Sequence, residues 1–250
     1  MAMMRSVQRI LAIFESFSQE RSTLTLQEIS NRIDLPKSTT FRIVQSLEES
    51  GYLIRLQDQQ YCLSFRFTRL AGLVQSTLGI REIARPFLVE LAKKTQESVS
   101  IHTLIDQDRV CLDAMSTSST LRSVIQPGEH VPIHLGTGSA SKVLLAFLAE
   151  KEQAPFITTI AKNSKQSKAS ILRELSIVKA KGYAISHGER LLGVTAISSP
   201  IRDSNDTVPY CLSIGGPSVR VKNHEKEFTK LAILYADKIS LQLGASALAS

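Results

Sequence analysis

No stretch of this 250-residue chain is apolar for long enough to cross a membrane. The longest unbroken apolar run, Val143–Ala149, is far short of the roughly 20 residues that a spanning helix needs. No signal peptide is expected, because Gln8, Arg9 and Glu15 interrupt the first apolar stretch. Cysteine is scarce. Cys62, Cys111 and Cys211 lie far apart, with no C-x-x-C pair and no Cys/His cluster around them. That argues against a disulfide scaffold or a zinc finger and fits structural thiols in a reducing cytoplasm.

Catalytic signatures are missing as well. There is no H-E-x-x-H and no Gly-rich phosphate fingerprint. Ser139-Ala140-Ser141-Lys142 spells the S-x-x-K string of penicillin-recognising enzymes, but its S-D-N and K-T-G companions do not occur. His130 and His134 have the i, i+4 spacing of a helical zinc pair, yet Gly128 and Pro132 argue against a helix there. His187 and Glu189 fall in a segment that reads as a loop rather than an acid/base pair. The expectation is no enzyme, no cofactor and no metal.

What remains is a globular chain with a basic balance. Hydrophobic residues at 43% are enough for one large domain or two modest ones, each with its own core. The net charge of +7 admits nucleic acid, a membrane surface or acidic ligands as partners. Its distribution does not choose among them. Residues 1–79 hold nine Lys+Arg and seven Asp+Glu, whereas residues 80–250 hold twenty-one and sixteen. Most of the excess is therefore outside the N-terminal part, much of it in a basic stretch, Lys162–Lys181, that reads as a solvated face. Placement, not total charge, has to carry any argument about DNA.

The N-terminal 66 residues read as three short helices and a hairpin. Val7, Ile10, Leu11, Phe14 and Phe17 give a first helix, Ser6–Phe17, an apolar stripe. Thr25 and Glu28 form a capping box ahead of a second helix, Leu26–Ile33. Pro36 suits the first turn of a third helix that runs to about Ser50 and stops at Gly51, with Phe41, Val44 and Leu47 inward. Tyr52–Leu56 and Gln60–Phe65 follow as strands around a polar turn. This order spells a winged helix-turn-helix. The third helix opens with Lys37, Ser38, Thr39 and Thr40, followed by Arg42, and keeps Glu48 and Glu49 for its far end. A helix N-terminus attracts phosphate, and an arginine fork reads guanine. Arg55 on the hairpin is placed to reach a neighbouring backbone or the minor groove. The competing reading is a helical module that binds protein.

The string "RSVQRILAIFESF…LTLQEISNRIDLPKSTTFRIVQSLEESGYL" closely resembles the DNA-binding domain of the IclR family of bacterial transcription regulators. The resemblance implies an oligomer acting on a palindromic operator, with DNA contacts on Lys37, Ser38, Thr39 and Arg42. It also favours a linker helix over residues 67–79, with Leu70, Leu73, Val74 and Thr77 on one side, that pairs two subunits.

From residue 80 onward, short β-type runs mix with helices without regular alternation, which argues α+β. The expected strands are Val99–Ile105, Arg109–Met115, Leu121–Gln126, Tyr183–Ser186, Ala196–Ile201 and Val208–Ile214. The expected helices are Pro86–Thr95, Ser139–Ala149, Ser170–Lys181 and His224–Leu243. "GEHVPIHLGTGSASKVLLAFL", "GYAISHGERLLGVTAISSPI" and "LSIGGP" resemble three boxes of the same family, in the family's order. That resemblance implies a GAF-like effector-binding domain, an antiparallel sheet flanked by helices, over residues 80–250. It implies a pocket on Ser139, Ala140, Ser186, Ser213 and Gly215 for a small organic or aromatic acid. The segment between His134 and Lys142 is two residues longer than usual in the family. Anchoring on Lys142 gives Ser139 and Ala140; anchoring on His134 gives Gly136 and Thr137. Some members carry Asp where Ser186 stands, so their ligand chemistry does not transfer. The expected function is a ligand-responsive, DNA-binding regulator acting as a dimer or tetramer. The alternative is a small-molecule-binding or enzymatic α+β domain whose helix-turn-helix mediates protein contacts.

Overall fold

A computed structural model describes residues 5–18, 21–70, 79–117, 119, 122, 125–164 and 166–247. They fall into two compact units, Met1–Leu78 and Gly79–Ser250. In the first unit α1 (Arg5–Glu15), α2 (Leu26–Arg32) and α3 (Lys37–Glu49) precede a hairpin of β2 (Leu53–Arg55) and β3 (Gln60–Leu63). Thr25 caps α2 as its sequence indicates. Its hydroxyl accepts the Glu28 N–H at 3.3 Å, and Glu28 Oε2 accepts the Thr25 N–H at 2.8 Å. At the end of α3, Gly51 takes a φ of +73°, where any Cβ would be strained. A strand not expected from the sequence, β1 (Thr23–Thr25), joins the far side of β3 in the order β1-β3-β2. Three residues are too few to display an alternation.

The two helical stripes need correction. In α1 the fully buried residue is Ile13, while Val7 and Leu11 are each 42% exposed. The buried face follows Ile10, Ile13, Phe14 and Phe17, turned partway round from the expected one. In α3, Thr40 joins Val44 and Leu47 in the core, and Phe41 is 44% exposed. Residues 40, 44 and 47 obey i, i+4, i+7 and fall on one narrow line, whereas residue 41 lies about 100° further round. Residues 66–70 are helical, and Phe67 packs edge-on against Phe14 and Tyr52. Most of the expected linker helix, including Leu73, Val74 and Thr77, lies outside the described residues.

The second unit is built on six antiparallel strands in the order β6-β5-β4-β9-β8-β7. They are β4 (Ser98–Ile105), β5 (Asp108–Met115), β6 (His130–Pro132), β7 (Ala184–His187), β8 (Val194–Ile201) and β9 (Tyr210–Pro217). Alternate side chains point to opposite faces. One face presents Val99, Ile101, Ile197, Ile201, Leu212 and Ile214 to α4 (Ile80–Thr95) and α9 (Glu225–Gln242); a short α8 (Ser218–Val221) precedes α9. The other face carries serines, and it too is buried. Ser100 pairs with Ser213, and Ser213 with Ser198; in the next row Ser98 pairs with Gly215, Gly215 with Ala196, and Ala196 with Ser186. Among the helices on this side are α5 (Ser139–Phe147), α6 (Glu150–Asn163) and α7 (Lys168–Lys181), which share a second apolar core.

Three expectations fail in this unit. Pro86 does not start a helix but sits inside α4. It withholds one N–H from the helix ladder, yet Ala84, Leu88 and Leu91 form an unbroken buried stripe on both sides of it. Helix α6 was not expected, because Pro155 lies within it and no side-chain cap marks its start. Of the expected strand Leu121–Gln126, Leu121, Ser123 and Val124 lie outside the described residues, and Ile125 and Gln126 belong to no strand. The strand that pairs with β5 is β6, where Pro132 is tolerated at the sheet edge.

The capping box generates a direct test of the first unit. Thr25→Ala removes one backbone partner and is expected to lower the stability of this unit by about 1 kcal/mol in urea titration. An unchanged midpoint would show that tertiary packing alone fixes the start of α2.

Candidate effector pocket and nucleic-acid interface

Helix α3 has an unused donor end. Pro36 caps it without a side-chain hydrogen bond, and the first N–H returned to the chain is that of Thr40, to the Pro36 carbonyl at 3.0 Å. The N–H groups of Lys37, Ser38 and Thr39 therefore belong to the orphan donors that every helix start leaves, the groups that bind phosphate elsewhere. Lys37, Ser38 and Arg42 are exposed beside them, and Thr39 is half-buried. Thr40 must be withdrawn from the DNA-facing set. It is fully buried, and its hydroxyl donates to the Pro36 carbonyl at 3.2 Å. Arg55 is exposed on β2, with its guanidinium 5.9 Å from the centre of the Tyr61 ring and hydrogen-bonded to Gln59.

Two further residues share this surface and were not found from sequence. Gln45 is exposed and follows Ser38 and Arg42 at i+7 and i+3, so the three form one outward ridge. A glutamine amide is suited to adenine. Arg9 on α1 lines a shallow depression with Thr39, Arg42 and Ser46. The Gln45 signal was present in the helical period; the Arg9 signal was not, because it depends on how α1 packs on α3.

In the second unit, the serine-bearing face of the sheet and the start of α5 enclose a cavity of about 60 Å³. Ser139, Ala140, Ser186, Ser213 and Gly215 all line it, while Gly136 and Thr137 do not. Two of these serines are linked through Ser198, which lies behind the lining: Ser139 Oγ to Ser198 Oγ at 2.7 Å, and Ser198 Oγ to Ser213 Oγ at 2.7 Å. The rim is tied down by Glu189. Its carboxylate accepts the Gly138 N–H at 3.0 Å and the Lys142 ammonium at 2.6 Å. Lys142 also meets Glu174 at 2.6 Å. The two carboxylates outweigh the desolvation of its ammonium and raise its pKa. Lys142 is thus committed to carboxylates, and Ser139 to Ser198, so the S-x-x-K string does not assemble a nucleophile and base.

His102, Arg109 and Arg190 also line this cavity, and none was expected there. Burial pushes the His102 imidazole well below its usual pKa, and the nearby Arg109 and Arg190 charges push the same way, so the ring is neutral. Its Nε2 lies 2.8 Å from Ser100 Oγ. Arg190 donates to Glu129 Oε1 through both terminal nitrogens, at 2.9 and 2.8 Å. A register shift on β4 next to His102 sets which β5 side chains face the cavity: Arg109 points to it, and Asp113 points to the opposite face, where it meets Arg85 at 2.6 Å. His187 does not pair with Glu189; its ring meets Thr195 and Glu225. His130 bonds Asp108, and no metal-holding cluster of His, Cys, Asp or Glu occurs among the described residues. No described helix is long and apolar enough to cross a membrane.

With this geometry in place, the comparisons with known proteins are informative. The profile "IclR helix-turn-helix domain" matches residues 6–56, and "Bacterial transcriptional regulator IclR C-terminal" matches residues 73–241. The chain is 27% identical over 221 residues to the HTH-type transcriptional regulator KipR of Bacillus subtilis, covering 86% of this chain and 87% of that one. An IclR transcriptional regulator structure from Silicibacter sp. TM1040 superposes with a TM-score of 0.86 at 21% identity, covering 98% of both chains. An IclR homolog from Microbacterium hydrocarbonoxydans, solved in complex with 4-hydroxybenzoate, has a TM-score of 0.58 at 22% identity, covering 96% of this chain and 100% of that one. The two profiles together span most of the sequence, and the chain belongs to the IclR family of DNA-binding transcriptional regulators.

Proposed function

We propose that this regulator binds a palindromic operator as a dimer or tetramer and senses a small organic or aromatic acid in the cavity at the start of α5. It works in the cytoplasm and has no catalytic activity. On the DNA side, Lys37, Ser38, Thr39, Arg42 and Gln45 of α3 enter the major groove, and Arg55 of the hairpin reaches the neighbouring backbone. On the effector side, Ser139, Ala140, Ser186, Ser213 and Gly215 contact the ligand. The observation that carries the reading is the convergence of those five residues on one buried cavity together with the cationic Arg109. The Microbacterium relative, with its bound aromatic acid, supports the same ligand class.

The mechanism is a population shift. A ligand changes an equilibrium only by binding one state better than another. Here the cavity is closed partly by the loop from Gly188 to Gly193, whose Glu189 holds the start of α5. A ligand that resets this loop selects one arrangement of the effector domain, and the subunit pairing passes that preference to the spacing of the DNA-binding domains.

Two measurements test the two halves separately. Arg42→Ala is expected to cost about 1–3 kcal/mol of binding to promoter DNA in a titration at fixed salt, and the wild-type affinity should fall steeply as salt rises. Unchanged affinity in the variant would remove Arg42 from the reading surface. Ser213→Ala should weaken the effector response while the free protein keeps its DNA affinity. Equal loss of both would make Ser213 a structural residue.

A further inference from the structure

Arg109 is a buried cation without an ion-pair partner among the described residues. It is 5% exposed, and no Asp or Glu lies within ion-pair distance of it among the described residues. The stretch from Ser116 to Gly128, which leads into β6, contains no acidic residue. Glu129, whose charge acts on Arg109, is bridged by Arg190, and Glu189, which lines the same cavity, is held by Lys142 and the Gly138 N–H. The neighbouring thiols cannot substitute. Burial pushes Cys211 and Cys111 up to about 12, so both are neutral at physiological pH. Burial lowers the Arg109 guanidinium pKa, but arginine in proteins keeps its proton.

Two buried polar atoms of residues that line this cavity have no hydrogen-bond partner among the described residues: Arg109 Nε and His102 Nδ1. Both residues line the cavity, and His102 is 1% exposed. An unpaired buried charge is among the most destabilising features a fold can carry, so its retention marks a site where stability has been given up for binding. The start of α5 at Ser139 adds the positive end of a helix dipole beside Arg109, whose guanidinium lies next to Gly138. Around the cavity three cations, Arg109, Lys142 and Arg190, stand against three carboxylates, Glu129, Glu174 and Glu189. Arg190 is bridged to Glu129 and Lys142 to Glu174 and Glu189, whereas Arg109 has no carboxylate within ion-pair distance among the described residues.

Resting on the effector reading above, we propose that Arg109 is the specificity-determining residue of the pocket and pairs with the single carboxylate of a monoanionic effector, with His102 bonding the same end of the ligand. A guanidinium with no ion-pair partner among the described residues can accept one carboxylate as its partner. A dicarboxylate would bring a second charge into a space of about 60 Å³ that has no further free cation among the described residues. The serine chain Ser139–Ser198–Ser213 is left to bond the remaining oxygen of the ligand, a hydroxyl or a carbonyl.

The experiment is a thermal-shift series, followed by calorimetric titration, on the full chain with acetate, pyruvate and benzoate. Malonate and phthalate serve as dianionic controls, and acetamide and benzamide as neutral ones. At least one monocarboxylate should raise the melting temperature and bind at least tenfold more tightly than its dianionic and amide counterparts. Arg109→Gln should abolish that binding while the unliganded variant melts no lower than the wild type, because the unpaired charge is gone. Arg109→Lys should retain weakened binding. The proposal is overturned if no monocarboxylate binds, if a dianion or an amide binds best, if Arg109→Gln keeps wild-type affinity, or if Arg109→Gln melts lower as a structural arginine would. Binding of promoter DNA by the same proteins is measured alongside. Its loss in the wild type would defeat the regulator reading, and its retention in Arg109→Gln would separate ligand recognition from DNA recognition.

Discussion

Everything in the second unit depends on the register of β9. Ser213 sits opposite Ser100 of β4 on one side and Ser198 of β8 on the other. Because side chains alternate strictly along a strand, a slip of one residue would carry Leu212 and Ile214 into the cavity and push the serines into the apolar layer against α4 and α9. The register is held from that apolar side, where Val99, Ile101, Ile197, Leu212 and Ile214 are almost fully buried. The energy that fixes the sheet is thus spent on one face, and the other face is free to carry polar groups. Hydroxyls there are small enough to leave a cavity, and Ser139, Ser198 and Ser213 satisfy one another, which is the condition for burying polar groups at low cost.

Arg109 stands apart from that economy. The serines are paired in a chain, Glu97 is buried but bridged by Arg220, and Lys142 is held by two carboxylates. Most of the polar groups that the fold buries have a partner inside it; Ser141 Oγ and Arg202 Nε, away from the cavity lining, have none among the described residues. Arg109 and the outer nitrogen of His102 are the exceptions in this cavity. The same contrast holds in the first unit, where Thr25 and Glu28 satisfy the start of α2 but the start of α3 is capped by a proline and keeps its donors. In both units the candidate binding surface includes groups that the chain itself leaves unsatisfied.

Much of this was legible in the sequence. The capping box, the proline that opens α3 and the glycine that closes it are local signals, and the structure repeats them. The five cavity-lining residues were reached through the resemblance of three segments to family boxes, and of the two registers for the longer segment before Lys142, the one on Ser139 and Ala140 falls on residues that line the cavity. What could not be read was set by packing across the chain. Ser98-Val99-Ser100-Ile101-His102 alternates like a strand with one wet face, yet that face is covered by the α5 side of the unit, so its serines and histidine are interior. Arg109 opened an expected strand with no role assigned to it, because the register that turns it inward is a property of the β4–β5 pairing. Phe41 and Thr40 exchanged places because a threonine on the i, i+4, i+7 line outweighs a phenylalanine beside it. Helix α6 was hidden by Pro155, a residue that argues against a helix locally but is tolerated early in one.

The account therefore rests on a single claim: the polar face of the sheet is a ligand face, and Arg109 is its charge. The most direct measurement is a crystal structure of the full chain with a bound monocarboxylate. The account places the carboxylate within hydrogen-bonding distance of the Arg109 guanidinium, with the rest of the molecule against Ser139, Ser186 and Ser213. A ligand bound elsewhere, or one seated in the cavity with its carboxylate turned away from Arg109, would contradict it.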